Sequence, residues 1–179
     1  MKEHQINKYI DLCKMGETDA FRYIVSEYQQ LVYTLAFKIL CNEADAEDIT
    51  QETFIKAWQN INRYKRQYKF STWIYRIACN ACYDKLRSKR SIKNVSITDY
   101  DVFSEINQEE QLQNKELKEL ILTLTDGLSP KQKLVFTLSD INDLEIEEIQ
   151  IITGMTPAKI KSNLYLARKH IKTKISNYE

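Results

Sequence analysis

Between Arg63 and Lys69 the chain reads RYKRQYK. Tyr64 and Tyr68 alternate there with Arg63, Lys65, Arg66 and Lys69, and the helical period on either side fails. Aromatic rings interleaved with cations suit an unpaired nucleic-acid base. A ring offers a stacking face worth ~1 to 3 kcal/mol per base, and the neighbouring lysines and arginines meet the phosphates. A second chemistry-bearing group lies just upstream. Asp48, Gln51, Glu52 and Ile55 recur at spacings of three and four, which sets them on neighbouring turns of one helix face. That mixed acidic, amide and aliphatic face suits docking onto a basic protein partner. A third group is C-terminal, where Lys159, Lys161, Ser162, Asn163, Tyr165 and Lys169 lie off the apolar face of a basic helix and are available to a DNA groove.

The elements that position these groups read as helices throughout. The 179 residues include only three glycines and two prolines, which argues against sandwiches, barrels and glycine-rich phosphate loops. Ile6, Tyr9, Ile10 and Cys13 predict a short first helix ending near Gly16. Asp19 is expected to cap a long scaffold helix carrying Phe21, Ile24, Val25, Tyr28, Leu31, Val32, Leu35, Ala36 and Ile39. Asn42 caps the acidic helix, whose stripe of Ala46, Ile49, Phe54, Ala57 and Trp58 faces the core. Ser71 is expected to cap the next helix, with Ile74, Ile77, Ala78, Ala81, Cys82 and Leu86 buried. Trp73, Arg76 and Asn80 on that helix continue the basic surface of the loop, and an asparagine is able to read a base edge bidentately.

From about Ser91 to Gln111 no period is visible, and acids, Ser, Asn and Gln predominate. This stretch reads as a tether between two helical domains. Beyond it, Leu112, Leu117, Leu120, Ile121 and Leu124 predict a helix ended by Gly127, and Ser129-Pro130 with Gln132 predicts a capping-box start for another through Leu138. A short helix carrying Ile146, Ile149 and Ile152, a turn at Gly154, and a basic helix opened by Thr156-Pro157 then form a helix-turn-helix pattern.

Charge follows the same plan. Residues Arg63 to Arg90 hold nine bases against one acid and Thr156 to Ile175 six bases and no acid, with acidic stretches between them, so two nucleic-acid contacts are expected. Cys79 and Cys82 form a CxxC, but zinc would need two further ligands, and His4 and His170 lie at the extremes of the chain. The four cysteines read as reduced core thiols of a cytoplasmic protein, with no metal and no cofactor. No apolar run reaches the ~20 residues of a membrane span. No catalytic residue is assigned, because clustered histidines, paired pocket carboxylates and a phosphate loop are all lacking.

Taken together, DAEDITQETFIKAW, FSTWIYRIACN and EIEEIQIITGMTPAKIKSNLYLARKHI resemble, in order, the motifs of a bacterial RNA polymerase sigma factor of the extracytoplasmic function (ECF) type. The resemblance implies an all-α chain of two small helical domains, a sigma region 2 bundle over residues 1–92 and a sigma region 4 helix-turn-helix over 112–179, joined by a flexible linker over 93–111. It also implies that the acidic helix docks on core RNA polymerase, with Phe54 joining Asp48, Gln51 and Glu52 at positions the family pattern holds. The loop and the helix through Trp73, Arg76 and Asn80 would melt and read the minus-10 promoter element, and the last helix, including Arg168, would read the minus-35 element. Asn163 and Leu166 stand where the family commonly carries arginine, so phosphate anchoring would rest more on Lys159, Lys161 and Lys169. The resemblance further implies an anti-sigma partner, in this family often membrane-bound, with no membrane insertion of this chain itself. Two other readings stay open: a freestanding helix-turn-helix regulator that binds DNA without polymerase, and a helical protein-interaction adaptor.

Overall fold

Helix α1, Glu3–Lys14, is anchored by Ile6, Ile10 and Cys13, whose spacing of four and three puts all three on one buried face. The computed structural model describes residues 3–93 and 120–176, and among these no strand occurs. Gly16 ends the first helix in a left-handed conformation (φ 96°). Its N–H returns to Cys13 O and that of Glu17 to Leu12 O, the paired closure of a Schellman motif.

Helix α2, Thr18–Leu40, starts from this closure rather than from the expected aspartate cap. Glu17 is the N-cap and makes no side-chain capping bond, while Asp19 sits in the first turn, 3.4 Å from Arg22. The chain enters α2 already ordered by the Schellman turn, so Asp19 instead places its charge near the positive helix end. Ala20, Ile24, Val32, Leu35, Ala36, Ile39 and Leu40 are buried, and α2 packs on both α1 and α3. Cys41 closes α2 at φ 53°, a left-handed conformation that costs a side-chain-bearing residue about 1 kcal/mol, while its own side chain is buried.

Helix α3, Glu43–Asn60, begins as expected, with the Asn42 side chain accepting from the Asp45 N–H at 2.8 Å. A 3-10 turn at Ile61–Arg63 leads to the loop, and α4 follows as Phe70–Lys93. Helix α4 starts one residue before Ser71, because the burial of Phe70 draws that residue into the first turn. Ile74, Ala78, Cys79, Ala81 and Cys82 form its buried stripe. The helix also continues further than the sequence pattern SKRSIK suggests.

The described chain resumes at residue 120 in helix α5, whose described part runs over 120–125. The linker expectation over most of 93–111, and the positions of Leu112 and Leu117, lie outside the described residues. Gly127 is required twice over: its φ is 87°, and a Cβ would stand 3.0 Å from Cε1 of His170. The capping box at Ser129 forms fully, with Gln132 N–H bound to Ser129 Oγ and Gln132 Oε1 accepting from the Ser129 N–H. Helix α6, Pro130–Phe136, widens into a π turn at Thr137–Ile141, an irregularity that sequence periodicity does not reveal. Helix α7, Ile146–Thr153, a turn at Gly154 (φ 69°) and α8, Pro157–Ser176, complete the helix-turn-helix order. Thr156 Oγ1 caps α8 through the Lys159 N–H, and α8 packs its stripe of Ile160, Leu164, Ala167 and Ile171 with α6.

The described residues fall into two compact units, one reaching to Cys82 together with Gln150–Gly154, the other formed by the remainder.

All four cysteines are buried thiols outside any disulfide. Desolvation pushes the Cys13 thiol up to about 11 from an ordinary value of 9.0. Burial, reinforced by the carboxylates of Glu52 and Asp45, pushes Cys82 up to about 12, and Cys79 is also held well above its ordinary value. A raised folded-state pKa stabilises the fold fully below pH 9 and loses that stabilisation as pH climbs through 11 and 12. Denaturant midpoints are therefore expected to fall steadily in a pH series above 9, and the four thiols should react with a chromogenic disulfide at pH 7.5 far more slowly in buffer than in guanidinium.

Candidate polymerase and nucleic-acid interface

Helix α3 turns two chemically distinct faces outward and inward. Asp48, Gln51 and Ile55 are exposed, Ile55 by 58%, and Glu52 is half-buried with Lys56 paired to it one turn on. Phe54 does not share that face. It is 7% exposed and meets Phe21 edge-on at 6.3 Å, while Trp58 lies 5.2 Å from the same ring. Phe54 therefore lies beneath the exposed face rather than on it.

The loop departs from the sequence expectation at its most prominent residue. Tyr64 is 4% exposed, so its ring is not displayed. It packs 5.3 Å from Phe70, nearly perpendicular, and 5.3 Å from Trp73, while Phe70 in turn meets Tyr28 of α2 at 5.2 Å. The hydroxyl donates to Tyr68 O at 2.8 Å, which satisfies the one polar atom of a buried tyrosine ring and folds the loop back on itself. Three aromatic residues within ten positions bury one another more favourably than any of them is solvated. Tyr68 is the ring that remains outside, 45% exposed.

Exposed with Tyr68 are Arg63, Lys65 and Lys69 in the loop and Arg76 and Asn80 on α4, while Trp73 is half-buried against the cluster. Arg66, though exposed, is engaged. Its guanidinium is paired with Asp11 and donates to Asn7 O at 3.2 Å. Lys14 donates to Tyr64 O at 2.9 Å and stands 5.7 Å from the centre of the Tyr64 ring, near enough for cation-π attraction. Sequence reasoning assigned α1 no part in this. No local signal marks it, because the pairing residues are fifty or more positions away from the loop.

On α8, Lys159, Lys161, Ser162, Tyr165 and Lys169 are exposed, Tyr165 by 66%. Asn163 folds its amide back onto Lys159 O at 2.7 Å. Arg168 bonds Asp140 of the π turn through Nε and a terminal nitrogen, both at 3.0 Å. His170 and Lys174 serve the fold: His170 Nε2 lies 2.7 Å from Asp126 O, and Lys174 Nζ donates to Thr123 O at 2.8 Å, so together they serve carbonyls at the end of α5. Lys172, exposed one turn beyond Lys169, extends the outward basic stripe that the sequence reading stopped short of.

Among the described residues no group of histidines, cysteines and carboxylates could hold a metal ion, and no helix is long and apolar enough to cross a membrane.

An exposed acidic helix face, a cationic loop backed by aromatic rings, and a helix-turn-helix order place the described residues among helical proteins built around a helix-turn-helix. Residues 24–92 match the family described as Sigma-70 region 2, and 118–171 match Sigma-70, region 4. The chain is 31% identical over 183 residues to the ECF RNA polymerase sigma factor SigW of Bacillus subtilis, spanning 97% of this chain and 98% of that protein. It is 28% identical to the ECF RNA polymerase sigma-E factor of Haemophilus influenzae, over 93% of each. Its fold is similar to that of CnrH, solved in complex with the cytosolic domain of CnrY (TM-score 0.69, 18% identity, 98% of this chain and 99% of that one). It is also similar to the sigma factor RpoE of Bartonella quintana, solved with the anti-sigma factor NepR (TM-score 0.67, 21% identity, 87% and 96%). The chain belongs to the ECF RNA polymerase sigma factors of the sigma-70 family, and its function is to direct transcription initiation.

Both tryptophans, Trp58 and Trp73, lie in the first unit and adjoin the aromatic contacts described above, so their fluorescence reports its unfolding. Tyr64→Phe is expected to cost about 1 kcal/mol through loss of the Tyr68 bond, and Tyr64→Ala about 3 kcal/mol through the cavity it leaves, both read from urea unfolding.

Proposed function

We propose that this sigma factor binds core RNA polymerase through the outer face of α3 and opens promoters with the loop that follows. Asp48, Gln51, Glu52 and Ile55 make the polymerase contact. Phe54 shapes that face from within. The single observation that carries the promoter half of the reading is the partition of the loop, with Tyr64 buried as a pedestal while Tyr68, Arg63, Lys65 and Lys69 face solvent beside Arg76 and Asn80.

In this mechanism Tyr68 supplies the stacking surface for a base drawn out of the minus-10 duplex, and Trp73 flanks it. The loop cations neutralise the adjoining phosphates, and Asn80 reads a base edge. Stacking at ~1 to 3 kcal/mol per base offsets part of the cost of unstacking, and the polymerase contacts contribute the rest. Tyr64 acts through position. Helix α8 enters the major groove of the minus-35 element with Lys159, Lys161, Ser162, Asn163, Tyr165 and Lys169, and Arg168 needs release from Asp140 before it meets a phosphate. The chain itself catalyses no step and needs no cofactor. It works in the cytoplasm, where an anti-sigma factor restrains it, a reading supported by the complexes in which CnrH and RpoE were solved.

Start sites mapped after overexpression supply the promoter for the tests. Purified protein added to core polymerase is expected to yield transcripts from it, and the absence of any would sink this reading in favour of a regulator that acts without polymerase. The double variant D48K/E52K should lose co-purification with core polymerase while keeping its helical circular dichroism. Tyr68→Ala should assemble normally yet leave promoter thymines about tenfold less reactive to permanganate, the equivalent of one lost stacking contact. Lys161→Ala should weaken binding to minus-35 duplex and flatten the plot of log affinity against log salt by about one unit of slope.

A further inference from the structure

The loop after α3 is held mainly from outside itself. Its internal ties are the Tyr64 N–H to Ile61 O and the Tyr64 hydroxyl to Tyr68 O. Three further polar ties come from α1, where Lys14 reaches Tyr64 O, Asp11 pairs with Arg66, and Asn7 O accepts from the same guanidinium. Helix α1 is itself fastened to the core by Ile6, Ile10 and Cys13, all buried, so these ties run from a rigid element to an irregular one. Helix α1 also precedes the residues that match sigma region 2, which begin at residue 24.

We infer that α1 is a clasp that sets the geometry of the promoter-opening loop, with Asp11 and Lys14 as positioning residues. This inference rests on the loop's role in the function proposed above. Arg66 and Lys14 are cations spent inward, on Asp11 and on the Tyr64 carbonyl and ring. By tying the loop at Tyr64 and Arg66, they leave Lys65, Tyr68 and Lys69 exposed together. An ion pair as exposed as Asp11 with Arg66 contributes little to global stability. Its effect therefore falls on where the loop sits, not on whether the unit folds. A loop free to move would still bind a strand already opened, but would stack less often on a base that must be captured as it leaves the duplex.

The test uses holoenzyme assembled from the full chain and core polymerase on the mapped promoter, supplied either as duplex or with its minus-10 region already unpaired. Asp11→Ala is expected to lower permanganate reactivity on the duplex about fivefold, as coupled neighbours commonly do, and to leave core assembly, transcription from the unpaired template and the tryptophan unfolding midpoint unchanged. Lys14→Met should behave alike. Adding Arg66→Ala to Asp11→Ala should cause no further loss, and the reversed pair D11R/R66D should restore opening. Normal duplex opening by Asp11→Ala overturns the inference, as does improved opening, which would mean that α1 withholds Arg66 from DNA. An equal loss on both templates, or a lowered unfolding midpoint in both single variants, also overturns it. Parent holoenzyme that makes no promoter-dependent transcript defeats the underlying function as well; an active parent with unaffected variants defeats the clasp alone.

Discussion

The burial of Tyr64 is the constraint on which the exposed basic loop of the first unit depends. A tyrosine ring flanked by three cations would ordinarily be solvated, yet Phe70 and Trp73 supply apolar surface within six and nine residues of it, and Tyr28 on α2 extends that surface. Once the ring is inside, its hydroxyl needs an acceptor, and the carbonyl of Tyr68 accepts from it at 2.8 Å. That bond closes the loop into a tight arc. The two cations between the tyrosines then part: Arg66 turns to α1, and Lys65 remains outside, as does Lys69 just beyond Tyr68. One buried ring thus sorts the loop into a supporting part and a presented part.

The same sorting recurs on α8 by different means. Its apolar stripe settles against α6, and the basic residues are divided by what lies beside them. His170 and Lys174 find carbonyls at the end of α5, and Arg168 finds Asp140 because the π turn carries that aspartate to it. Lys159, Lys161 and Lys169 meet no such acceptor among the contacts described and stay exposed around Tyr165. A basic helix is therefore not a uniform phosphate-binding surface. Two of its six lysines and arginines, Arg168 and Lys174, are tied to neighbouring elements.

Much of this architecture was legible in the residues. Asn42, Ser129 and Thr156 cap the helices they were expected to cap, because a cap is a local bond between a side chain and an N–H two or three residues away. The stripe Ile160, Leu164, Ala167, Ile171 is buried as its spacing required, and so are Ile24, Val32, Leu35, Ala36 and Ile39 of the expected α2 face, whereas Leu31 is exposed and Phe21, Val25 and Tyr28 are half-buried. Asp19 and Ser71 show where local reading falls short. Each has the right chemistry for a cap, but a Schellman closure before one and the burial of Phe70 beside the other moved the helix start.

By itself the sequence determined the all-helical class, the acidic and basic blocks, the helix-turn-helix order and the membership of the sigma family, since all of these reside in composition, period and motif. Which residues of each block face outward was decided only by the tertiary structure. Tyr64 and Tyr68 are chemically identical and differ only in what packs over them, and Phe54 and Ile55 are adjacent apolar residues of one helix, one buried and the other exposed. Arg66 and Lys65 differ in whether an acid stands near. That acid, Asp11, comes from a helix more than fifty residues away, and no local pattern encodes a contact made by bringing two distant segments together.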